Sequence, residues 1–383
     1  MNALKKKTTQ LFTTTYNKSK TLIQTYYKKI IITLTIVLVL VAVIYGIKFA
    51  YNKITGKIEV TQMKRPFLNV YAVKSDGSET MTNIVLITHP FTRDECEVQY
   101  NEAKAKGIQF LGCTSYSEFP GAISNPHDVL HDPKHKAWSY DYNKLCRGWL
   151  YCFREPEKYI KPELPMLRIA ESDFSHNDEF LKDSTEPKEY DFLYVCLKDN
   201  DKCEAGWQSY IRHWDIVEKY LSIMCDKFKL KGCLIGRINC KMPKACHNLM
   251  NLTDFQPYHD FIKYYKKCKW TLIASEMDAS PRVASESMMN NLPLFMNSSI
   301  LGGWQYIKED ANGTGKFFTA ETFEADLEKF LANLGTYKPR DYFTANYGRV
   351  NSGKRLKKFI GEVFKPEELN IKLEEYEYIK PGV

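Results

Sequence analysis

The chain has 383 residues and a formal net charge of +8, and 44% of its residues are hydrophobic. That apolar content excludes a wholly disordered chain, and 19 Gly and 16 Pro are too few for a collagen-like one. The positive charge is concentrated in residues 1–60, which hold ten Lys and one acidic residue, so the rest of the chain carries −1. A nucleic-acid-binding body would carry its own positive surface, so the composition argues against nucleic acid as a partner.

An uncharged stretch, IIITLTIVLVLVAVIYGI, occupies residues 30–47. A transmembrane helix needs roughly 20 apolar residues, and Tyr26, Tyr27 and Tyr45 stand near its ends as interfacial aromatic residues do. A cleaved signal peptide is the alternative, but its apolar region is typically shorter and ends at a small-residue cleavage site that is lacking here. The sequence therefore predicts an uncleaved transmembrane helix, a signal-anchor, over residues 29–51.

This helix would separate a basic tail over residues 1–28 from a polar stem over residues 52–80. Seven basic residues precede the predicted span and five follow it. The excess favours a single-pass membrane protein with a cytoplasmic N-terminus, because cytoplasmic flanks are enriched in Lys and Arg.

Eleven Cys lie between Cys96 and Cys268. Their spacing matches no zinc pattern. Disulfides in an oxidising compartment and buried thiols in a reducing one both fit this count, and the sequence leaves the two open.

Two α/β patterns follow the stem. An apolar run over 83–88, a helical stretch over 94–106 and a second apolar run over 108–113 predict a β-α-β unit. We assign residues 81–185 to an N-terminal α/β acceptor domain. The acidic stretch 171–189, which overlaps its end, is typical of an interdomain linker.

The second pattern alternates strands and helices about four times, which predicts a doubly wound sheet. The predicted strands cover residues 191–196, 231–236, 270–274 and 292–296. We assign residues 186–365 to this C-terminal, nucleotide-sugar-binding domain and residues 366–383 to a tail.

The segment DASPRVASESMMNNLPLFMNSSILGG, residues 278–303, follows the third of these strands. Ser280 is a candidate helix cap, and Pro281 suits the first helical position. A helix N-terminus at the carboxyl end of a parallel strand is an anion site that suits a diphosphate. Asp278 and Glu286, with seven residues between them, add carboxylates that accept hydrogen bonds from sugar hydroxyls.

Asp278, Glu286 and the following Asn291-Leu292-Pro293-Leu294 resemble the hallmark of the group 1, family 4-like nucleotide-sugar glycosyltransferases of the GT-B fold. Asp278 stands where that family usually has Glu. The resemblance covers about residues 190–320. It implies two Rossmann-like doubly wound domains that face a cleft, behind the transmembrane helix. It also implies hexosyltransferase activity with retention, from a nucleoside-diphosphate sugar to a hydroxyl of a glycan, lipid or protein.

The resemblance assigns roles to single residues. Glu286 would bind the ribose, Asp278 would face the hydroxyls of the donor sugar, and the loop of Ser280, Pro281 and Arg282 would contact the donor.

The diphosphate would meet basic residues elsewhere. Lys198 and Lys202 follow the first strand of the second domain, where the family presents an Arg and a Lys, and Arg237 is the alternative. His89 ends the first strand of the N-terminal domain and would face the acceptor or the transferred sugar. No cofactor or metal ion is expected, because Asp199-Asn200-Asp201 is not placed as a metal-binding motif. A membrane-tethered, non-catalytic glycan- or nucleotide-binding protein of the same fold remains the alternative.

Overall fold

The computed structural model describes residues 27, 33–41, 43, 58, 60–114, 118–121, 130, 132 and 134–382. The chain divides into two compact units, residues 1–59 and 60–383. Most of the predicted transmembrane helix lies outside the described residues; within it, residues 33–41 and 43 are helical and exposed. Across the described ranges, no helix has the length and apolarity needed to cross a bilayer. The predicted tail over residues 1–28 lies outside the described residues except for Tyr27.

Two six-stranded sheets build the second unit. The strands are β1 (Phe67–Val73), β2 (Glu79–Ile87), β3 (Gln109–Cys113), β4 (Trp149–Tyr151), β5 (Met166–Arg168), β6 (Tyr190–Val195), β7 (Gly232–Ile235), β8 (Met250–Thr253), β9 (Cys268–Ile273), β10 (Leu294–Asn297), β11 (Gly315–Phe318) and β12 (Tyr378–Pro381). The α-helices of this unit are α1 (Asp94–Ala105), α2 (Tyr142–Leu145), α3 (Asp178–Leu181), α4 (Trp207–Arg212), α5 (Trp214–Asp226), α6 (Tyr258–Lys267), α7 (Arg282–Met289), α8 (Phe323–Ala332), α9 (Pro339–Asn346) and α10 (Gly348–Val363). The two-domain α/β architecture expected from the sequence is therefore present.

The second sheet has the strand order β11-β10-β9-β6-β7-β8, and all its pairs are parallel. Successive residues of β6 enter opposite cores: Phe192 and Tyr194 pack with α5 and α8, whereas Leu193 packs with α7. Helices thus cover both faces, which explains why its strands read as continuous apolar runs. The order reverses between β6 and β9, so this sheet is doubly wound as predicted.

The first sheet differs from the prediction. Its order is β12-β1-β2-β3-β4-β5, and β2 to β5 are parallel in simple chain order without a reversal. β1 is antiparallel to both of its neighbours. This domain is therefore a mixed sheet and not a doubly wound one.

The predicted stem over residues 52–80 is corrected from β1 onward. β1 lies between two strands, and its Val70 and Ala72 are fully buried. Asn69 interrupts the apolar residues of β1, whereas β2 ends in the uninterrupted apolar run Ile84–Ile87 that marked it in the sequence.

The C-terminal boundary also moves. The predicted tail over residues 366–383 contains β12, which pairs with β1 and buries Ile379. Helix α10, assigned to the second domain, instead packs Leu356 and Ile360 into the core of the first sheet. The first domain is thus completed by residues from the far end of the chain.

The predicted linker over residues 171–189 is only partly a linker. Residues 171–174 form a 3₁₀ turn that is buried between the two domains, with Asp173 1% exposed. Polar composition suggested solvent exposure, but hydrogen bonds from both domains satisfy these groups instead.

Disulfide-bonded and free, buried cysteines, the two states that the sequence left open, both occur. Cys203–Cys240 and Cys225–Cys246 are disulfides, and the seven other cysteines are free and buried.

Candidate active site

The loop over residues 274–281 leaves the carboxyl end of β9 beside β6, at the point where the strand order reverses. Its shape depends on residues that follow β10. The N–H groups of Leu301 and Gly302 donate to the carbonyls of Glu276 and Asp278 at 2.7 and 3.0 Å. A Cβ atom on Gly302 would lie 1.9 Å from the Ala279 carbonyl oxygen, so glycine is required for this close approach. The two glycines at the end of the sequence motif therefore support the loop.

Asp278 is held at this crevice by an arginine that the sequence analysis missed. Its Oδ2 contacts Nη1 of Arg212, the last residue of α4, and its Oδ1 accepts from the Ser280 N–H at 3.2 Å. Next to this pair, Nε2 of His213 lies 3.5 Å from Oε2 of Glu276. Arg212 and His213, which follow β6 in the chain, thus face two acidic residues of the loop after β9.

No local signal in the sequence pointed to Arg212, because it lies a whole helix beyond β6. Arg212 is the last residue of α4, and this helix brings it beside Asp278.

Ser280 and Pro281 do not have the predicted capping roles. Helix α7 begins at Arg282, Pro281 is its N-cap residue, and no side chain caps it. The Ser280 hydroxyl instead accepts from the Ser172 N–H at 2.9 Å, which ties the loop to the segment between the domains. This hydrogen bond therefore holds the loop that contains Ser280 against a segment of the other domain.

Glu286 lies on the wall of a cavity of about 250 Å³. Only 4% of the residue is exposed, and its Oε2 accepts from the Tyr265 hydroxyl at 2.7 Å. Burial raises the pKa of this carboxyl to about 7, against the opposing effects of the Tyr265 hydrogen bond and the Arg282 charge. A carboxyl group so placed accepts hydrogen bonds as an anion and donates one when protonated.

The same cavity brings together side chains from distant parts of the chain. Its polar lining residues are Glu171, Ser175, His176, Tyr258, Arg282, Glu286, Arg349 and Lys380. The structure thus joins Glu286 with Arg282, as predicted, while Asp278, Lys198 and Lys202 do not line this cavity. His176, Arg349 and Lys380 could not be found from sequence, because the first domain carries them to this wall.

The predicted phosphate-binding residues have unequal surroundings. Lys198 pairs with the exposed Asp201 at 3.2 Å, and its N–H donates to the Gly236 carbonyl, whereas Lys202 is exposed. Both lysines are in the loop after β6.

Arg237 is fully buried. Its guanidinium stacks on Trp214 at 4.3 Å and donates to Cys196 Sγ and Ser209 Oγ at 2.6 and 2.9 Å. Its Nε and Nη1 have no hydrogen-bond partner among the described residues. Through these contacts the buried Arg237 supports the loop after β6.

Asp199 has a structural role in the same loop. Its carboxylate accepts from the N–H groups of Gln208 and Ser209 at 2.6 and 3.0 Å, at the start of α4. It therefore caps that helix from a distance. Within the part of the chain that the structure describes, no group of three or more His, Cys, Asp or Glu is arranged for a metal ion.

His89 lies outside this region, on a second cavity of about 330 Å³ at the carboxyl end of β2. Its Nδ1 is 2.7 Å from Thr88 Oγ1. Burial and the Arg65 charge lower the pKa of the imidazole to about 4, so the ring is neutral at physiological pH.

Asp173 is a further residue that the sequence analysis missed. Its carboxylate accepts from the Tyr306 hydroxyl at 2.6 Å and from the Ala170 N–H at 3.0 Å, and its carbonyl accepts from the Ser352 hydroxyl at 2.6 Å. Burial raises the pKa of this carboxyl. These bonds fasten the second domain and α10 to the segment that lines the Glu286 cavity.

The sequence matches no protein-family model and no curated protein. Solved structures with a similar backbone include TarM, with 12% identity over 67% of this chain and 51% of that chain and a TM-score of 0.48. The pneumococcal O-GlcNAc transferase GtfA in complex with UDP and GlcNAc has 12% identity over 70% and 55%, with a TM-score of 0.48. The lipopolysaccharide outer core galactosyltransferase WaaB in its apo form has 13% identity over 74% and 76%, with a TM-score of 0.49. The match spans about half of the TarM chain.

Proposed function

We propose that this chain is a glycosyltransferase of the GT-B type that moves a sugar from a nucleoside-diphosphate donor to a hydroxyl acceptor. The observation that carries the proposal is Glu286, a nearly buried carboxyl group on a cavity wall, one turn into the helix that follows the central strand β9. Ligands of open α/β sheets bind at the carboxyl ends of strands where the strand order reverses.

In this proposal the ribose hydroxyls of the donor bond to Glu286, because a carboxylate accepts strong hydrogen bonds from hydroxyl groups. Arg282 lines the same cavity and adds positive charge to the start of α7. The N-terminal end of α7 would then face the diphosphate, with Lys198 and Lys202 as further cations from the loop after β6.

Asp278 would act on the transferred sugar. It lies before α7 and is held by Arg212, so its carboxylate is fixed in position before the donor arrives. Stabilising the departing diphosphate by fixed dipoles and cations is the main catalytic task of such a site. We expect retention of the anomeric configuration and no cofactor other than the nucleotide sugar, with a glycan, lipid or protein as acceptor.

We also propose that the N-terminal segment anchors the enzyme in a lipid bilayer. Residues 33–41 are helical, and the side chains of Leu34, Leu38 and Leu40 are 58%, 68% and 55% exposed. A continuous apolar helix surface that no protein core covers is suited to hydrocarbon. With seven basic residues before the span, the N-terminus would be cytoplasmic.

A second candidate is a non-catalytic nucleotide- or glycan-binding protein. The observation that favours it is the Arg212–Asp278 pair, since the carboxylate that would act on the sugar already has a cationic partner.

Turnover distinguishes the two candidates. The full chain is incubated with UDP-, GDP- and ADP-sugars and free nucleoside diphosphate is measured, beside Glu286→Ala and a control, Glu328→Ala, on the exposed side of α8. Release from one donor that Glu286→Ala abolishes and Glu328→Ala preserves establishes the transferase. A nucleotide-dependent rise in melting temperature without turnover, also with glycan and lipid acceptors present, supports the binding protein. Neither turnover nor a thermal shift with any nucleotide refutes both.

A further inference from the structure

The cavity at the carboxyl end of β2 is separate from the Glu286 cavity. It measures about 330 Å³, and its described lining residues are Arg65, Pro66, His89, Pro90, Thr92, Arg93 and Leu130. Among these described residues two are arginines and none is acidic. Two cationic side chains on one cavity create a positive potential that attracts anions.

The two arginines come from different segments, and the side chain of Arg93 is held against the backbone of Arg65. Arg65 precedes β1 and Arg93 precedes α1, and Nη2 of Arg93 donates to the Arg65 carbonyl at 3.1 Å. Two guanidinium groups on one cavity present several N–H donors in the planar fork that matches an oxyanion.

Neighbouring acids are engaged elsewhere. Asp94 and Glu97 are in the first turn of α1, but Asp94 pairs with Lys136 and Glu97 accepts from the Tyr140 hydroxyl at 3.0 Å. Neither is among the described residues that line the cavity, so these two carboxylates do not cancel the charge of Arg65 and Arg93 there.

His89 adds a polar group of defined protonation to the same wall. The Thr88 hydroxyl donates to the Pro66 carbonyl at 3.0 Å, so its oxygen accepts from Nδ1–H of His89 at 2.7 Å. The proton of the neutral ring is therefore on Nδ1, and His89 adds no positive charge to that of Arg65 and Arg93.

We propose that this cavity binds the phosphate or carboxylate group of an anionic ligand through Arg65 and Arg93, and that this ligand is the acceptor. Only the second half of this inference rests on the proposed transferase function. It narrows the acceptor from any hydroxyl compound to one that also carries an oxyanion.

Binding is tested with three probes that share a carbon skeleton: glycerol 3-phosphate, glycerate and glycerol. Ligand-observed NMR on the full chain measures each affinity. We expect at least one of the two anions to bind about tenfold or more tightly than glycerol, which corresponds to about 1.4 kcal/mol. The preferred anion identifies the oxyanion as phosphate or carboxylate.

Variants locate the binding. Arg65→Ala and Arg93→Ala are each expected to weaken binding of the preferred anion about tenfold, whereas Arg65→Lys retains part of it. Lys64→Ala is the matched control, because Lys64 is exposed, adjacent and absent from the cavity wall. Equal affinity for all three probes, or an anion affinity that Arg282→Ala removes and the Arg65 and Arg93 variants leave intact, overturns the proposal.

Nucleotide thermal shifts on the same samples separate the two proposals. Anion binding that requires Arg65 and Arg93, with no response to any nucleotide, supports the cavity assignment and refutes the transferase. A nucleotide response without Arg-dependent anion binding leaves the transferase in place and overturns the anionic acceptor.

Discussion

The carboxyl group of Glu286 combines near-complete burial with a place on a cavity wall. Burial penalises its charged form, so its pKa is raised from 4.5 to about 7, although Tyr265 and Arg282 oppose this change. Its folded-state pKa lies above the unfolded value, so between pH 4.5 and 7 the folded protein holds a proton that the unfolded chain has lost. The contribution of Glu286 to stability is therefore most favourable below pH 4.5 and falls as pH rises through 7.

Replacing Glu286 with Gln removes this pH dependence. The difference between 4.5 and about 7 corresponds to about 3 kcal/mol, so Glu286→Gln is expected to gain about that much relative to the native protein between pH 4.5 and pH 8. Urea unfolding of both proteins at the two pH values measures it. A constant difference in unfolding free energy between the two proteins would show that the Glu286 carboxyl is ordinarily acidic.

Asp278 and Arg212 form a second residue-scale unit. Both side chains are largely buried, 14% and 25% exposed, so either one alone would leave a poorly solvated charge. In a double-mutant cycle of Arg212→Ala and Asp278→Ala, we expect a coupling energy of about 1–3 kcal/mol. Denaturant unfolding of the four proteins gives this value. Additive single effects would mean that the pair does not hold Asp278 in solution.

At the scale of elements, the site is a loop supported by another loop. The segment after β9 carries Asp278, and the segment after β10 donates two backbone hydrogen bonds to it. The contact is close enough that Gly302 has no room for a side chain. Orientation of the candidate acid is therefore a property of two adjacent strands and their loops.

Gly302→Ala tests this support. Its added methyl group meets the Ala279 carbonyl oxygen at 1.9 Å, so the loop must shift, at a cost of about 1–3 kcal/mol. We expect nucleotide-sugar turnover to fall at least about tenfold, as a small misplacement of catalytic groups does. Gly335→Ala is the matched control, because nothing lies within 4 Å of its added Cβ. Equal activity of the two variants would show that the loop position is unimportant for turnover.

At the scale of the whole molecule, the ends of the second unit meet in one sheet. β12 pairs with β1, with Val70 opposite Pro381 and Val73 opposite Tyr378. α10 covers the same sheet, and the Asp173 turn joins it to the second domain. The Glu286 cavity takes Lys380 and Arg349 from this returning segment, so the candidate site depends on the closure of the first domain.

Ile379→Ala tests this closure. Ile379 is fully buried in the core of the first sheet, so its truncation is expected to cost about 2–5 kcal/mol of unfolding free energy. Thermal or denaturant unfolding measures the loss, with the exposed Lys372→Ala as control. Equal stability of the two variants would mean that residues 366–383 form an independent tail, as the sequence suggested.

The sequence by itself determined four of the six strands of the second sheet, where local pattern and tertiary environment agree. β6, β7, β9 and β10 are short apolar runs because helices cover both faces of their sheet, whereas β8 and β11 were not predicted. The helix start was predicted to within one residue, since α7 begins at Arg282, and Glu286, selected from its spacing to Asp278 and the family resemblance, lies one turn inside it.

Tertiary structure alone decided which distant residues meet. β1 is buried because it lies between β12 and β2, and β12 pairs with it across about 300 residues of chain. Two polar contacts join residues of different elements. Arg212 pairs with Asp278, and Asp173 accepts a hydrogen bond from Tyr306. Local composition reports whether a residue can be buried, but a hydrogen bond or ion pair between distant residues exists only once the chain has folded.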